Sequence, residues 1–182
     1  MAKLASTTYG EALFELAVEE SKVDLLYDEA KLVIAAFDDN KELGRLLNEP
    51  KIDKEEKKEV IKNIFSQSVS DDLMGLLVLM VSKDRQKDIV ATLKVFEDKV
   101  LEYKKIGTAY VTTAKTLSQE LKDKLLDKLL KTTDYVSFNM VYNVDESLIA
   151  GMVIRIGDRV IDSSIRHKLD ELEKELRKIQ LA

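Results

Sequence analysis

A helical bundle followed by a smaller α+β domain is the fold that this chain of 182 residues predicts. Three observations carry the prediction. Apolar residues recur at three- and four-residue steps as far as Lys105. After Gly107 the period switches to two. One proline and six glycines in the whole chain leave helix as the dominant element.

Residues 1–105 read as six helices with short connections, a compact all-α bundle. The first carries Tyr9, Leu13, Leu16 and Ala17 on one stripe, the second Leu26, Ala30, Val33 and Phe37. A short helix spans Lys41 to Leu47 and must end before Pro50, because the residue preceding a proline is biased away from helix. Asp53 has the position of an N-cap, and Glu56 three residues on completes a capping box. Val60, Ile61, Ile64 and Phe65 form the inner face of that helix. Ser70 caps the next one, with Asp71 and Asp72 at its positive dipole end. The sixth helix carries Ile89, Leu93, Phe96, Val100 and Tyr103.

Residues 106–182 read as the α+β domain with a mixed sheet. "TAYVTTA", Thr108 to Ala114, is rich in β-branched residues. A helix capped by Ser118 follows, with Leu121, Leu125 and Leu129 inward. In "VSFNMVYNV", Val136, Phe138, Met140, Tyr142 and Val144 point one way and Ser137, Asn139 and Asn143 the other. Leu148, Ala150, Met152, Ile154 and Ile156 repeat the alternation, and Gly157-Asp158 fits a two-residue hairpin turn. A last helix starts near Ser164 and carries Ile165, Leu169, Leu172, Leu176 and Ile179.

Composition argues against chemistry. The net charge of −5 falls wholly on residues 1–105, which hold 17 basic and 22 acidic side chains, and there is no basic stripe to track a nucleic acid. Without cysteine, and with His167 as the one histidine, no nucleophile–base pair or zinc site can be assembled. Neither the P-loop nor the dinucleotide glycine pattern occurs, and nothing calls for a cofactor. Arg155, Asp158, Arg159, Asp162 and Arg166 alternate in sign, which reads as ion pairs around a hairpin, or else as a small anion site. A hydrolase built on Asp158 and Asp162 would lack an evident base. The N-terminus has neither the apolar core of a signal peptide nor the basic character of a transit peptide, which fits a bacterial protein. What the chain does hold in excess is apolar helical surface. Leu73 to Val81 contains nothing more polar than Gly75, and is far short of the ~20 residues that span a bilayer. Such a run is either a helix buried all round or one that keeps part of its surface for a partner.

The stretch "VDESLIAGMVIRIGDRVIDSSIRHKLDEL", Val144 to Leu172, resembles the signature of the delta subunit of F-type ATP synthases, the oligomycin sensitivity-conferring protein family. Asp145, Ser147, Leu148, Ile149, Gly151, Arg155, Gly157, Asp158, Val160, Ile161, Asp162, Ser164, Arg166, Lys168, Leu169 and Leu172 match it, while Ala150 and Ser163 replace two usual glycines. "YGEALFELA", Tyr9 to Ala17, resembles the family's N-terminal motif, with Gly10 in place of the usual alanine and Thr8 where arginine is common. "TAYVTTAKTLSQE" resembles the segment that follows the inter-domain glycine.

The resemblance implies a non-catalytic stator subunit. Residues 1–105 would bind the top of the catalytic head through the N-terminal helix of an alpha subunit, seated between the first and fifth helices. Residues 106–182 would meet the b subunits of the peripheral stalk, which makes the chain peripheral to a bacterial membrane, on its cytoplasmic face, through the complex. Ala5, Tyr9, Ala12, Leu13, Leu76, Leu79 and Met80 are the groove residues this reading selects. Arg166, Glu173, Arg177 and Lys178, on the outer face of the last helix, are its stalk contacts. The alternative is a free-standing helical adaptor that takes an amphipathic helix of some other partner.

Overall fold

The computed structural model describes residues 2–169 and 172. It divides into two compact units, Met1–Leu101 and Glu102–Ala182, where the sequence places the change at 105.

The first unit is helical. It contains α1 (Ala2–Glu19), α2 (Val23–Asp39), α3 (Lys41–Asn48), α4 (Lys54–Phe65), α5 (Asp71–Ser82) and most of α6 (Ile89–Tyr103). Their apolar stripes meet in one core, in which Leu26, Val33, Phe65, Leu73, Leu77, Leu93 and Phe96 are fully enclosed. Phe37 stacks on Phe65 at 6.3 Å between ring centres and ties α2 to α4. Two stripes are narrower than the spacing implies. Ile64 is exposed, because α4 turns the Ile61–Phe65 pair inward and leaves that shoulder in water. Tyr103 is exposed too, since the first core ends at Val100.

The helix starts also differ from expectation. Asp53 sits at the N-cap of α4 with extended backbone, but its side chain makes no capping hydrogen bond, so the capping box with Glu56 is not formed. Ser70 sits at the N-cap of α5 and does not cap it either. Instead its backbone N–H donates to Glu29 Oε1 at 2.9 Å and its hydroxyl donates to Glu29 Oε2 at 2.8 Å. Glu29 is itself buried on α2. A carboxylate from another helix thus satisfies both donors of the residue that opens α5. Glu29→Ala strands them, and is expected to cost about 2–3 kcal/mol in chemical denaturation. Glu29→Gln should cost less, because its carbonyl keeps the N–H while the hydroxyl turns to accept from the amide.

Gly10 is buried where α1 crosses α6. A Cβ there would lie 2.8 Å from Val95 Cγ1 and 2.9 Å from the Thr92 carbonyl oxygen. The departure from alanine in the N-terminal motif therefore matches a helix crossing too close for a side chain.

The second unit holds β1 (Ile106–Thr113), α7 (Gln119–Thr132), β2 (Ser137–Val144), β3 (Met152–Ile156) and β4 (Arg159–Asp162). The strands form one mixed sheet in the order β2-β1-β3-β4. β1 runs parallel to β2, which requires the crossover that α7 supplies, and the other pairs are antiparallel. Ser118 caps α7 by accepting from the Leu121 N–H at 3.4 Å. Leu125 and Leu129 then bury against Ala109, Val111 and Ile154. Leu121 is exposed, contrary to its expected place, because packing on the sheet begins one turn later. In β1, Gly107 pairs with Phe138, whose ring occupies the space a Cβ would need.

The alternation from Leu148 to Ile156 is only half strand. Glu146–Leu148 form a single 3-10 turn, and Ile149 and Gly151 have φ of 66° and 88°. Leu148 is buried by that turn, and β3 begins only at Met152. The Gly157-Asp158 hairpin joins β3 to β4 as the sequence implies. Residues 165–169 are helical. Glu173, Leu176, Arg177, Lys178 and Ile179 lie outside the described residues. No helix among the described residues is long and apolar enough to cross a membrane.

Candidate functional site

The apolar run is α5, and it divides its surface. Leu73, Leu77, Met80 and Val81 point into the core, while Leu76 and Val78 are half-buried. Gly75 and Leu79 face outward. A helix that is apolar all round has no polar face to show which side is buried, so only packing settles it. α5 lies against α1 and α2, and Lys22 Nζ, in the α1–α2 turn, reaches Asp72 in its first turn at 2.7 Å. That hydrogen bond raises the Lys22 pKa above the ordinary lysine value. The pair is partly exposed and serves registration more than stability.

The seven groove residues separate along the same lines. Leu13 and Met80 are core residues with 3% and 0% exposure. Ala5, Tyr9 and Leu76 are half-buried, and Ala12 and Leu79 are exposed. On α1, Leu4, Thr8 and Ala12 form an outward row at four-residue spacing. The hydroxyl of Thr8 donates to the Leu4 carbonyl at 3.0 Å, so the one polar side chain in the row is satisfied within its own helix.

Gly75 is the residue that spacing alone passes over. It stands in the middle of α5, and a Cβ there would meet nothing within 4 Å. A helix-interior glycine costs about 1 kcal/mol relative to alanine, and here no internal crossing explains it. Gly75→Ala is expected to raise the stability of the free chain by up to about 1 kcal/mol, read from its denaturation midpoint.

The C-terminal signature resolves into a set of structural bonds. Asp145 Oδ1 accepts the Ser147 N–H at 2.9 Å, and the Ser147 hydroxyl accepts from Arg166 at 3.1 Å. Asp162 Oδ1 accepts the Ser164 N–H at 2.8 Å, and Ser164 Oγ accepts the His167 N–H at 3.1 Å. The Met152 carbonyl receives both the N–H and the hydroxyl of Ser163, and the Ala150 carbonyl receives the Ile165 N–H. The Ser147 hydroxyl and amide hold Asp145 below the ordinary carboxylate pKa, as the Ser164 amide and hydroxyl do for Asp162. These anchors persist at neutral pH and loosen only as pH falls through the lowered values.

The expected ion pairs around the hairpin do not form among the described residues. Arg155 Nε donates instead to the Gly157 carbonyl at 3.2 Å, and Arg166 and Asp162 are engaged as above. Short turns offer backbone and hydroxyl partners closer than the opposite charges. A hollow of this unit, about 880 Å³, is bordered by Lys105, Lys131 and Arg159 but equally by Glu102, Asp134 and Asp158, so no one charge converges there.

The chain matches the family described as "ATP synthase delta (OSCP) subunit" over residues 5–176. "ATP synthase subunit delta" of Lachnoclostridium phytofermentans is 51% identical over 181 residues, with 100% of each chain covered. Its counterpart in Halalkalibacterium halodurans is 36% identical, with 92% of each chain covered. A chain in the cryo-EM structure of the Toxoplasma gondii mitochondrial ATP synthase hexamer has the same fold, with a TM-score of 0.77 at 18% identity over 94% of this chain and 96% of that one. Two apolar outer helix faces, a signature that is structural throughout, and these matches agree: the chain belongs to the ATP synthase delta (OSCP) subunit family.

Proposed function

We propose that the helical unit acts as a six-helix bundle whose α1–α5 face holds the amphipathic N-terminal helix of an ATP synthase alpha subunit, and that the second unit meets the b subunits of the peripheral stalk. Membership in the family makes the chain a stator component with no chemistry of its own. In that role it links the catalytic head to the stalk, so that proton-driven rotation is coupled to ATP synthesis. It sits on the cytoplasmic face of a bacterial membrane, peripheral through the complex.

The observation that carries the head contact is the outward apolar surface of two helices packed side by side: Ala12 on α1, Leu79 on α5, and Ala5, Tyr9 and Leu76 half-buried beside them. Helix-in-groove recognition needs such anchors, each worth roughly 1.5–3 kcal/mol when buried, and several are required to offset the cost of association. Leu13 and Met80 support the floor from within. For the stalk, Arg166 is engaged with Ser147 in the free chain.

Calorimetric titration of the full chain with a synthetic peptide of about 20 residues from the alpha-subunit N-terminus tests the head contact. Tight binding with a negative heat-capacity change is the expected result. A folded chain that binds no peptide would refute it and leave the adaptor reading in its place.

A further inference from the structure

Among the described residues, α7 covers the sheet of the second unit on one side only. Its other side is defined by the strand register. One row runs Val141, Tyr110, Arg155, Val160 across all four strands, and the next runs Asn143, Thr112, Val153, Asp162. A solvated sheet face ordinarily alternates to polar residues. Here Val141, Tyr110 and Val160 are 40%, 46% and 60% exposed. Tyr110, Thr112, Val153, Arg155 and Val160 line an open depression of about 320 Å³ near the middle of the sheet. Arg155 is the one cation in these two rows. The Gly157 carbonyl accepts from its Nε, which orients the guanidinium, and no carboxylate among the described residues is paired with it. Asp162, at the rim, is engaged with the Ser164 amide.

We propose that this open face is the surface by which the second unit takes the stalk, and that its occupant is an amphipathic helix carrying a carboxylate among apolar residues. The apolar residues cover Tyr110, Val141 and Val160, and the carboxylate meets the outward edge of the Arg155 fork, a planar pairing that an oriented guanidinium favours. The inference rests on the stalk contact proposed above. It moves that contact from the outer face of the last helix to the sheet.

The test uses the full chain and the soluble, membrane-truncated b subunits of the same organism, with the alpha-subunit peptide as a control. Arg155→Glu is expected to weaken b binding at least 30-fold, and Val160→Lys at least 10-fold, with the affinity for the alpha peptide unchanged. Arg155→Ala should also flatten the salt dependence of wild-type binding. Folded variants that bind the b subunits as the wild type does would overturn the sheet surface while leaving the stalk contact standing elsewhere. A wild-type chain that does not bind them at all would overturn both. A fall of several degrees in the melting temperature of Val160→Lys would show that the face is covered from within the chain, and would also overturn the proposal.

Discussion

Ala12→Asp is expected to weaken the alpha-subunit peptide at least 100-fold while leaving the helical unit folded. Ala12 is exposed in the free chain, so a carboxylate there stays hydrated and should change stability by no more than about 0.5 kcal/mol. In the complex the same carboxylate would be enclosed against an apolar helix with no cation facing it. An unpartnered buried charge costs several kcal/mol, and about 2.7 kcal/mol already corresponds to a 100-fold loss. Leu13→Ala provides the contrast. Leu13 is a core residue, so its truncation should lower stability by about 2–5 kcal/mol before any effect on binding is read. Circular dichroism and calorimetry on the two variants separate the outcomes, and a folded Ala12→Asp chain with wild-type affinity places the head contact elsewhere.

Gly151→Ala should produce the largest stability loss in the second unit, about 3 kcal/mol or more. Two costs combine. A φ of 88° is open to glycine and strained for any L side chain. The added Cβ would also stand 2.4 Å from the Ser163 carbonyl oxygen and 2.9 Å from Ser164 Cα, and both are backbone atoms that cannot rotate away. Relief requires the end of β4 to move, which breaks the Ser163–Met152 and Ile165–Ala150 hydrogen bonds. Amide NMR spectra should show the loss in residues of the second unit, with the core of α2, α5 and α6 unaffected. Equal loss in both units would mean that they unfold together and that the strain is not local.

Much of this architecture can be read from spacing. The stripe Leu26, Ala30, Val33 fixes α2, and the alternation Phe138, Met140, Tyr142 fixes β2, because one wet face and one dry face leave a periodic trace. Where both faces are apolar the trace vanishes. On α5 nothing in the sequence separates Met80, which is core, from Leu79, which is exposed. Leu148 shows a different failure. Its two-residue spacing from Ala150 is that of a strand, yet a 3-10 turn followed by left-handed backbone buries it. The bond between Glu29 and Ser70 is invisible for a third reason: the partners lie on different helices, and a carboxylate mid-helix looks like any solvated charge. The outward sheet face leaves no trace in the spacing either, because Tyr110 and Val141 count equally well as strand formers on either side.

The strand register has a consequence for how the chain comes into being. Each helix of the first unit forms from neighbours in sequence, whereas the sheet must join Ile106 to Ser137 and Ala109 to Ile156 before it gains anything. Closing long loops is slow in either unit, but the distant partners of the first, Gly10 with Val95 and Glu29 with Ser70, are all made before β2 exists. Synthesis from the N-terminus sets the lag, because β1 waits for β2 and β3 to be made. The helical unit, with its outward face on α1 and α5, is therefore complete while the second is still being assembled. A head contact available before the stalk contact would give the assembly of the stator a built-in direction.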